Sequence, residues 1–418
     1  MPTPLLRRPP IAVCLASAAA LLFPTATADA APAAGEASRS TATPGVVTWA
    51  FPKAAAAAAA AADRSPDGQI AVAVNTRNGI TLVRFDARGK FDKSFGTNGY
   101  ARLAADNVSA AAVAFDEDGS LTVAGTAPGK GTALLARLTA RGKPDTSFGK
   151  NGIVVTQGLP ASTEAAALAV QSDGKPVLAA TAKNRVVVAR YTLKGRPDPS
   201  FGTKGRYLSP AKVSESAAAI GLQEDGTIVV AGSSTLPKQG ERASLWSLTT
   251  KGAPSPGFGT TGKLLVAAAV RNGVSRNMVI DSADNIVMSG SADSHYAVVR
   301  HRPGGARDRD FGDDGLARIP TTDTSNGTVV AAAEDGHVVT AGPLGTALGV
   351  ASATTQGQPD PGFGTSGVTT LDFGTAEQSL SALLLTEDGQ VIVVGTAGTR
   401  IALARFTPHG KPDSTYGR

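Results

Sequence analysis

The segment Gly142-Lys143-Pro144-Asp145-Thr146-Ser147-Phe148-Gly149 decides the fold, because its pattern of Gly, two residues, Asp, two residues, aromatic and Gly recurs along the 418-residue chain. The fourth copy has Ser255 in place of the Asp. Successive aromatic residues are 53, 53, 57, 53, 52 and 53 residues apart. A period this regular is the signature of a repeat architecture. The seven aromatic residues are Phe95, Phe148, Phe201, Phe258, Phe311, Phe363 and Tyr416.

Each repeat contains four short runs of apolar, often β-branched residues without helical spacing, which predicts four β-strands. In the second repeat the runs are Tyr100–Leu103, Ala111–Phe115, Leu121–Ala124 and Leu134–Leu138. The pair Asp118-Gly119 separates the second run from the third and predicts a type I′ hairpin turn. Equivalent pairs are Asp67-Gly68, Asp173-Gly174, Asp225-Gly226, Asp335-Gly336 and Asp388-Gly389, with Asp284-Asn285 in the fifth repeat.

The four strands of one repeat form a small sheet with two apolar faces, which neighbouring repeats must cover. The seventh motif ends at Tyr416-Gly417, and the strand expected after it is found instead at Val46–Trp49. We therefore predict an all-β fold, a seven-bladed β-propeller of four-stranded blades over residues 46–418, closed by this N-terminal strand. An open solenoid is the alternative. In the first repeat the run Ala54–Ala62 favours a helical or irregular excursion, because alanine has the highest intrinsic helix propensity.

Residues 1–30 have the three parts of a secretory signal peptide. Arg7 and Arg8 precede the apolar run Ile11–Phe23, and Ala28-Asp29-Ala30 resembles a cleavage site. We expect a mature start at Ala31, a flexible linker over residues 31–45, and a secreted or cell-surface protein. An uncleaved anchor is the alternative. The only cysteine, Cys14, lies in the leader, so the mature chain would contain no disulfide.

The remaining composition indicates no cofactor and no metal site. The net charge is +6, and the charged residues are scattered singly along the chain. This distribution argues against nucleic-acid binding, which requires clustered cations. The four histidines fall on one strand and in the turns of other repeats, so we expect no zinc site. No other apolar stretch is long enough to span a bilayer. We expect a monomer without a catalytic serine constellation.

An arginine lies eight residues before the motif aspartate in five of the repeats. We predict intra-blade salt bridges in these repeats; the alternative is a ring of cations for an anionic ligand. The fourth repeat loses both charges together, having Ser247 and Ser255, whereas the sixth keeps Asp360 opposite Ser352. The retained Asp360 predicts a second role in capping its turn through backbone amides. The five pairs are Arg84 with Asp92, Arg137 with Asp145, Arg190 with Asp198, Arg300 with Asp308, and Arg405 with Asp413.

The repeat resembles the delta-60 repeat family of bacterial secreted and surface proteins. The residues that carry the resemblance are Val123-Ala124-Gly125, Ala136-Arg137-Leu138 and Lys143–Gly149. It covers roughly residues 65–418 and departs in the first, fourth and sixth repeats. The resemblance implies a propeller-like fold and an extracellular location, and it implies no shared activity.

These observations favour a non-enzymatic extracellular binding or scaffold module whose partner is a protein or a polysaccharide. One alternative is an extracellular hydrolase or lyase that acts on a polysaccharide at the mouth of the propeller channel. A structural component of the cell envelope is another. The binding and enzyme hypotheses differ in whether unique polar residues converge at one mouth of the channel.

Overall fold

A computed structural model describes residues 38–40, 43–50, 57–76, 79–103, 107–127, 131–156, 158–210, 212–266, 277–292, 295–321 and 329–418. The described chain is built of antiparallel β-sheets, which form the seven blades of a propeller. The predicted seven-bladed β-propeller of four-stranded blades is confirmed. In the described part of the chain, no helix is long and apolar enough to cross a membrane.

The strands follow one another in chain order, and four make up each blade. The N-terminal segment supplies β1 (Ser38–Ser40) and β2 (Val46–Ala50). Blade 1 contains β3 (Ala58–Arg64), β4 (Ile70–Thr76), β5 (Gly79–Phe85) and β6 (Tyr100–Arg102). Blade 2 contains β7 (Ser109–Phe115), β8 (Leu121–Ala127), β9 (Thr132–Leu138) and β10 (Ile153–Val155). Blade 3 contains β11 (Thr163–Val170), β12 (Pro176–Ala182), β13 (Arg185–Arg190) and β14 (Arg206–Leu208).

The remaining blades repeat this arrangement. Blade 4 contains β15 (Ser214–Leu222), β16 (Ile228–Leu236), β17 (Gly240–Leu248) and β18 (Lys263–Leu265). Blade 5 contains β19 (Asn277–Ile280), β20 (Ile286–Ala292), β21 (His295–His301) and β22 (Leu316–Pro320). Blade 6 contains β23 (Val329–Ala332), β24 (Val338–Leu344), β25 (Ala347–Ala353) and β26 (Val368–Leu371). Blade 7 contains β27 (Gln378–Leu385), β28 (Val391–Ala397) and β29 (Arg400–Phe406), completed by β2.

The ring closes as predicted, with an N-terminal strand beside the last repeat. Strand β2 pairs antiparallel with β29, from Val46 opposite Ala404 to Ala50 opposite Arg400. The innermost strands of successive blades contact one another around a full circle, including β27 with β3. Strand β1 adds a fifth strand outside β2. It falls within residues 31–45, where we expected a flexible linker.

The apolar core lies between blades. One cluster joins Val47 and Trp49 of β2 to Val72 of blade 1 and Val394 of blade 7, and similar clusters join the other neighbouring blades. Each sheet is thus covered on both faces, which explains why its strands read as nearly continuous apolar runs.

The alanine run of the first repeat is a buried strand, so the expected helical or irregular excursion is wrong over Ala58–Ala62. Strand β3 pairs with β4, and Ala61 and Ala62 are fully buried. Small side chains suit the inner strands because these strands converge on the propeller axis, and tertiary packing overrides helix propensity. Ala54–Ala56 lie outside the described residues.

The predicted type I′ turns are also wrong in their geometry. In the hairpin of blade 2 the amide of Gly119 donates to the carbonyl of Asp116, and only Gly119 of the Asp-Gly pair has a positive φ, of 77°. This is a three-residue loop with glycine in the left-handed position. In blade 5 Asp284, with a φ of 63°, takes the place of that glycine.

Candidate functional site

The repeated Arg and Asp side chains form the predicted intra-blade ion pairs in all five repeats that have both. The N–O distances are 2.8 Å for Arg84 and Asp92, 2.9 Å for Arg190 and Asp198, and 2.7 Å for Arg300 and Asp308. They are 3.2 Å for Arg137 and Asp145 and 2.7 Å for Arg405 and Asp413.

The fourth and sixth repeats have a hydrogen bond in place of the ion pair. In the fourth repeat both partners are neutral, and in the sixth a neutral hydroxyl meets a carboxylate. In blade 4 the hydroxyl oxygens of Ser247 and Ser255 are 2.8 Å apart. In blade 6 the Ser352 hydroxyl donates to Asp360 Oδ2 over 3.2 Å. The amide of Gly362 donates to the other oxygen of Asp360 over 2.9 Å, which is the predicted turn cap.

Several of these arginines also contact the next blade. Arg84 Nη1 donates to the carbonyl of Ala140 in blade 2, and Arg190 Nη1 donates to the carbonyl of Thr250 in blade 4. The guanidinium carbon of Arg84 lies 4.7 Å from the ring centre of Phe95. Arg84 and Arg190 are each over 90% buried. The alternative of a cation ring for an anionic ligand is therefore not supported for these side chains, because their charges are paired and covered.

The motif aromatics and glycines join each blade to the next. A Cβ atom built on Gly142 of blade 2 would lie 2.9 Å from the Phe95 ring of blade 1 and 2.7 Å from the Gly96 nitrogen. Gly89 packs against Tyr416 in the same way, so the last blade contacts the first. The amide of Gly96 donates to the carbonyl of Arg141, and the amide of Gly417 to that of Arg88. We call this contact of aromatic ring, glycine and amide the inter-blade latch.

A double-mutant cycle tests the ion pair in blade 3. Partial burial opposes ionisation of Asp198, but hydrogen bonds from Ser200 and the charge of Arg190 hold the pKa of Asp198 below its usual value. We expect Asp198→Ser to lower the free energy of unfolding by about 3 kcal/mol, because it leaves the buried Arg190 charge without a carboxylate, and Arg190→Ser to lower it by somewhat less, because Lys175 Nζ remains 3.6 Å from Asp198 Oδ2. The double variant reproduces the Ser247 and Ser255 pair of blade 4 and should lose much less than the sum. Denaturant unfolding of the four proteins measures the coupling, and additive losses would contradict the prediction.

Two charged side chains that depart from the repeat, Asp63 and Arg64, lie at one mouth of the central channel. Because the strands alternate in direction, the Asp-Gly hairpins and the motif loops lie at the same end of the propeller, which we call the Asp-Gly end. A cavity of about 170 Å³ opens there, lined by the ends of β3, β7, β11, β23 and β27 and by Val279 of β19. We call it the mouth cavity. Its charged lining residues are Asp63, Arg64, Asp116, Glu117, Glu334 and Glu387.

Asp63 is the most unusual residue of the mouth cavity. It is 5% exposed, and its Oδ2 accepts a hydrogen bond of 2.8 Å from the amide of Phe115 in the next blade. Burial raises the pKa of Asp63 to about 7, against the opposing effects of hydrogen bonds from the amides of Phe115 and Arg64 and of the Arg64 charge. A buried carboxylate with a strongly shifted pKa in a cleft marks a candidate functional site.

Asp116 lines the same cavity one residue after Phe115 and is 8% exposed. Its Oδ2 lies 3.0 Å from the Ser120 hydroxyl and 3.5 Å from Arg137 Nε. Its Oδ1 is buried as well. Burial raises the pKa of Asp116 despite the nearby charge of Arg137. Two acidic residues from adjacent blades, Asp63 and Asp116, therefore line one small, partly apolar cavity.

The ionisation of Asp63 should make the stability of the fold depend on pH. Because its pKa in the fold is raised from 3.8 to about 7, its stabilising contribution is present below about pH 4 and is lost as pH rises through 7. We expect Asp63→Asn to raise the free energy of unfolding at pH 8 by on the order of 3 kcal/mol and to change it little at pH 4. The asparagine oxygen can still accept from Phe115.

Thermal unfolding at both pH values measures this effect. Asp225→Asn is the matched control, since Asp225 is an exposed hairpin carboxylate that accepts from the Thr227 amide. Equal shifts for the two variants at pH 8 would contradict the prediction.

Sequence reasoning did not identify the mouth cavity, although a signal was present. When the inner strands are aligned on their hairpins, Asp63 occupies the position of Ala114, Ala169 and Leu384. A carboxylate at an otherwise apolar inner-strand position is the sequence signal of this site. Among the described residues, no group of three or more His, Cys, Asp or Glu side chains is arranged to hold a metal ion.

Comparison with protein families agrees with the fold. A family model described as a domain of unknown function (DUF5122) beta-propeller matches residues 117–148, 171–201 and 386–416. Each matched segment runs from the Asp-Gly hairpin region to the motif aromatic, so the match falls on repeats of a propeller repeat family. None of the curated proteins matches the chain.

Solved structures show the same architecture at very low sequence identity. A streptogramin B lyase structure is 12% identical, with a TM-score of 0.54, over 86% of this chain and 96% of that one. YCF48 from Cyanidioschyzon merolae is 14% identical, with a TM-score of 0.44, over 82% and 94% of the two chains. At this sequence identity the similarity to the streptogramin B lyase structure shows the fold alone. The similarity to YCF48 adds nothing further.

Proposed function

We propose that this protein is a secreted, non-enzymatic binding module that engages an extracellular protein or polysaccharide through the Asp-Gly end of its channel. One observation carries the proposal: Asp63 and Arg64, which occupy apolar positions of the other repeats, line the mouth cavity, whereas the repeated Arg, Asp, aromatic and Gly residues serve the packing of the blades. Unique side chains at one mouth of a regular ring are what a specific contact requires.

The size and chemistry of the mouth cavity favour binding over polymer cleavage. A cavity of about 170 Å³ holds about five water molecules, well below the 300 Å³ at which drug-sized ligand pockets begin. It admits one side chain or small group, and a sugar chain would have to lie across the rim. The described lining contains no serine, cysteine or histidine that could act as a nucleophile with its base.

Binding of defined polymers by the chain from residue 31 tests the proposal. We expect at least one member of a panel of purified glycans, cell-wall polymers and secreted proteins to bind, with no release of product. Replacing the exposed rim residues Glu117, Glu334 and Glu387 together by Gln should abolish that binding while leaving the melting temperature unchanged. Turnover of a bound polymer, or the absence of any binder, would refute the proposal.

Export is proposed from the leader sequence and is tested separately. We expect secretion to remove residues 1–30, so that the exported protein begins at Ala31. Intact-mass measurement of exported protein checks the cleavage, and a mass that matches residues 1–418 would refute it.

The motif residues support a further proposal, that the repeats are of the delta-60 type found in bacterial secreted and surface proteins.

An extracellular hydrolase or lyase is the second candidate function. The observation in its favour is that Asp63 and Asp116, both with raised pKa values, line one cavity, because glycoside cleavage uses a pair of carboxyl groups. Reducing-end and unsaturated-product assays on the same polymer panel test it. Activity that is lost in Asp63→Ala and retained in Asp225→Asn would establish this candidate in place of the first.

A further inference from the structure

The fold brings together cations that are scattered along the sequence. A short turn follows the third strand of every blade, and because the strands alternate in direction, these turns all lie at the Asp-Gly end. We call them the outer turns. In blades 1 to 4 and 7 they carry exposed lysine and arginine side chains, which together we call the basic arc. Its members are Arg88, Lys90, Arg141, Lys143, Lys194, Arg196, Lys251 and Lys411.

The basic arc covers one side of the propeller only. In blade 5 the motif loop carries exposed carboxylates, among them Asp310 and Asp313, and Arg302 beside them is paired with Asp310 over 2.7 Å. The positions that correspond to the arc in blades 5 and 6 are uncharged, namely Gly304, Ala306, Gln356 and Gln358. The repeat alone would give a complete ring of cations, so the arc reflects more than the repeat.

The fold does not require the charges of the basic arc. The carbonyl of Arg141 accepts the latch hydrogen bond from Gly96 over 2.8 Å, and the carbonyl of Lys194 accepts the equivalent bond from Gly149 over 3.1 Å. In blade 6 the carbonyl of Gln356 takes the same part without a charge. In the part of the chain that the structure describes, no ion pair involves a side chain of the arc. The latch therefore fixes the backbone, and the cations are left for a ligand.

The exposed charges nearer the axis have the opposite sign. The Asp-Gly hairpins follow the innermost strands and carry exposed carboxylates such as Asp67, Asp118 and Asp225. A flat anionic membrane or a straight nucleic-acid duplex laid across the Asp-Gly end would meet these carboxylates as well as the basic arc, and like charges repel. A flexible linear polyanion can instead follow the perimeter of the disc and avoid them.

The basic arc offers charge without aromatic surface. Among the described residues of its outer turns and motif loops, the motif aromatics are buried, and the half-buried Phe91 packs against other rings. Its ring centre lies 5.1 Å from that of Trp49 and 4.8 Å from that of Tyr100. Single-stranded nucleic acids are bound by stacking of their bases on aromatic side chains. A ligand of the arc is therefore recognised by its charges.

We propose that the basic arc binds a flexible, linear anionic polysaccharide through its sulfate or carboxylate groups. Lysine and arginine donate charge-assisted hydrogen bonds to such groups. The carboxylate within these outer turns, that of Asp86, already accepts from the amides of Arg88 and Lys90 over 2.9 and 2.8 Å. The arc is separate from the mouth cavity, so this inference goes beyond the proposed function.

Calorimetric titration of the chain from residue 31 with dextran sulfate tests the proposal, and uncharged dextran is the matched polymer. We expect only dextran sulfate to bind. Because a bound polyanion releases counterions, its affinity should fall by on the order of 10- to 100-fold when salt is raised from about 50 to about 200 mM. Carboxymethyl dextran of equal charge density distinguishes the two anionic groups, since the polymer that binds more tightly carries the preferred group.

Replacing Lys143, Lys194 and Lys251 together by Gln tests the location of the site. This arc variant introduces the side chain that blade 6 has at Gln356 and Gln358. We expect it to bind dextran sulfate about tenfold more weakly than the native chain, because it loses three exposed ion pairs of modest strength. Its melting temperature should be unchanged, since the latch hydrogen bonds use backbone atoms.

A second triple variant controls for net charge. Lys183, Lys212 and Lys238 are exposed and lie in connections at the opposite end of the propeller. Replacing these three by Gln lowers the net charge as much as the arc variant does, and it should leave the affinity unchanged. Equal losses in the two variants would show that net charge alone attracts the polymer and would overturn the proposal.

Three further results would overturn it. These are failure of both anionic dextrans to bind, tighter binding of an oligodeoxythymidylate of equal charge, and sedimentation of the protein with phosphatidylserine vesicles. The inference and the proposed function fail separately, because substitution of the rim glutamates should not weaken the binding of dextran sulfate. Loss of the mouth contact would thus leave the basic arc in place, and loss of dextran sulfate binding would leave the mouth contact in place.

Discussion

A chain that begins at residue 51 should unfold at a temperature lower by roughly 6 °C or more than a chain that begins at residue 43. The shorter chain lacks β2, whose five residues pair with β29 and whose Val46, Val47 and Trp49 are buried. Loss of each buried apolar side chain removes about 1.5–3 kcal/mol of transfer free energy, and about 5 kcal/mol in total corresponds to a shift of this size. The hydrogen bond from the Arg405 amide to the Gly45 carbonyl is lost as well.

The chain from residue 43 is the matched control for that truncation, because it lacks β1 and the preceding segment but keeps β2. We expect it to melt close to the chain from residue 31, since β1 lies outside β2 at the sheet edge. The chain from residue 51 should also associate, because it exposes β29 as an unpaired edge strand. Light scattering detects the association, and equal melting temperatures for all three chains would contradict closure by β2.

The period of the repeat explains why the architecture could be predicted from the sequence. A spacing of about 53 residues leaves room for four short strands, and glycine and aspartate mark the turns between them. The Arg and Asp pairs could also be predicted because they vary together in the fourth repeat, where Ser247 and Ser255 replace both. The strands of a blade and the Arg and Asp pairs needed only contacts within one repeat, where separation along the chain limits separation in space, and closure of the ring followed from counting the strands at the two ends of the chain.

Contacts between blades could not be predicted in the same way. Arg84 donates to the carbonyl of Ala140, which lies 56 positions further along the chain, and only closure of the ring brings the two together. The mouth cavity depends on closure even more, since residues 63 and 387 line it together. The prediction for the alanine run was wrong for the same reason. The intrinsic propensity of alanine favours a helix, whereas the position of this run next to the propeller axis requires small side chains in a strand.

The inter-blade latch indicates that the repeated and the unique residues have different roles, the first in stability and the second in ligand binding. The latch is repeated around the ring and stabilises the disc, whereas Asp63 occurs once and should destabilise the fold above pH 7. Residues that reduce stability without serving the packing are commonly retained for function. The two classes of residue should therefore respond differently to substitution, with stability lost at the latch and ligand affinity lost at the mouth cavity.

Gly142→Ala should lower the free energy of unfolding by about 3 kcal/mol. A Cβ atom at this position would lie 2.7 Å from the Gly96 nitrogen and 2.9 Å from the Phe95 ring. The backbone of Gly96 cannot move away without weakening its hydrogen bond to the carbonyl of Arg141, and the ring is fully buried. Overpacking of this kind costs about 1–3 kcal/mol, and the left-handed backbone adds about 1–2 kcal/mol for any residue with a Cβ.

Gly240→Ala separates these two contributions. Gly240 has a φ of 72°, against 73° for Gly142, but a Cβ atom there would have no atom within 4 Å. Both variants carry the same backbone cost, so the difference between them measures the close approach of blades 1 and 2. We expect Gly240→Ala to lose only about 1 kcal/mol in denaturant unfolding. If both variants lost the same free energy, glycine at the latch would serve the turn alone, and the aromatic ring of the preceding blade would not require it.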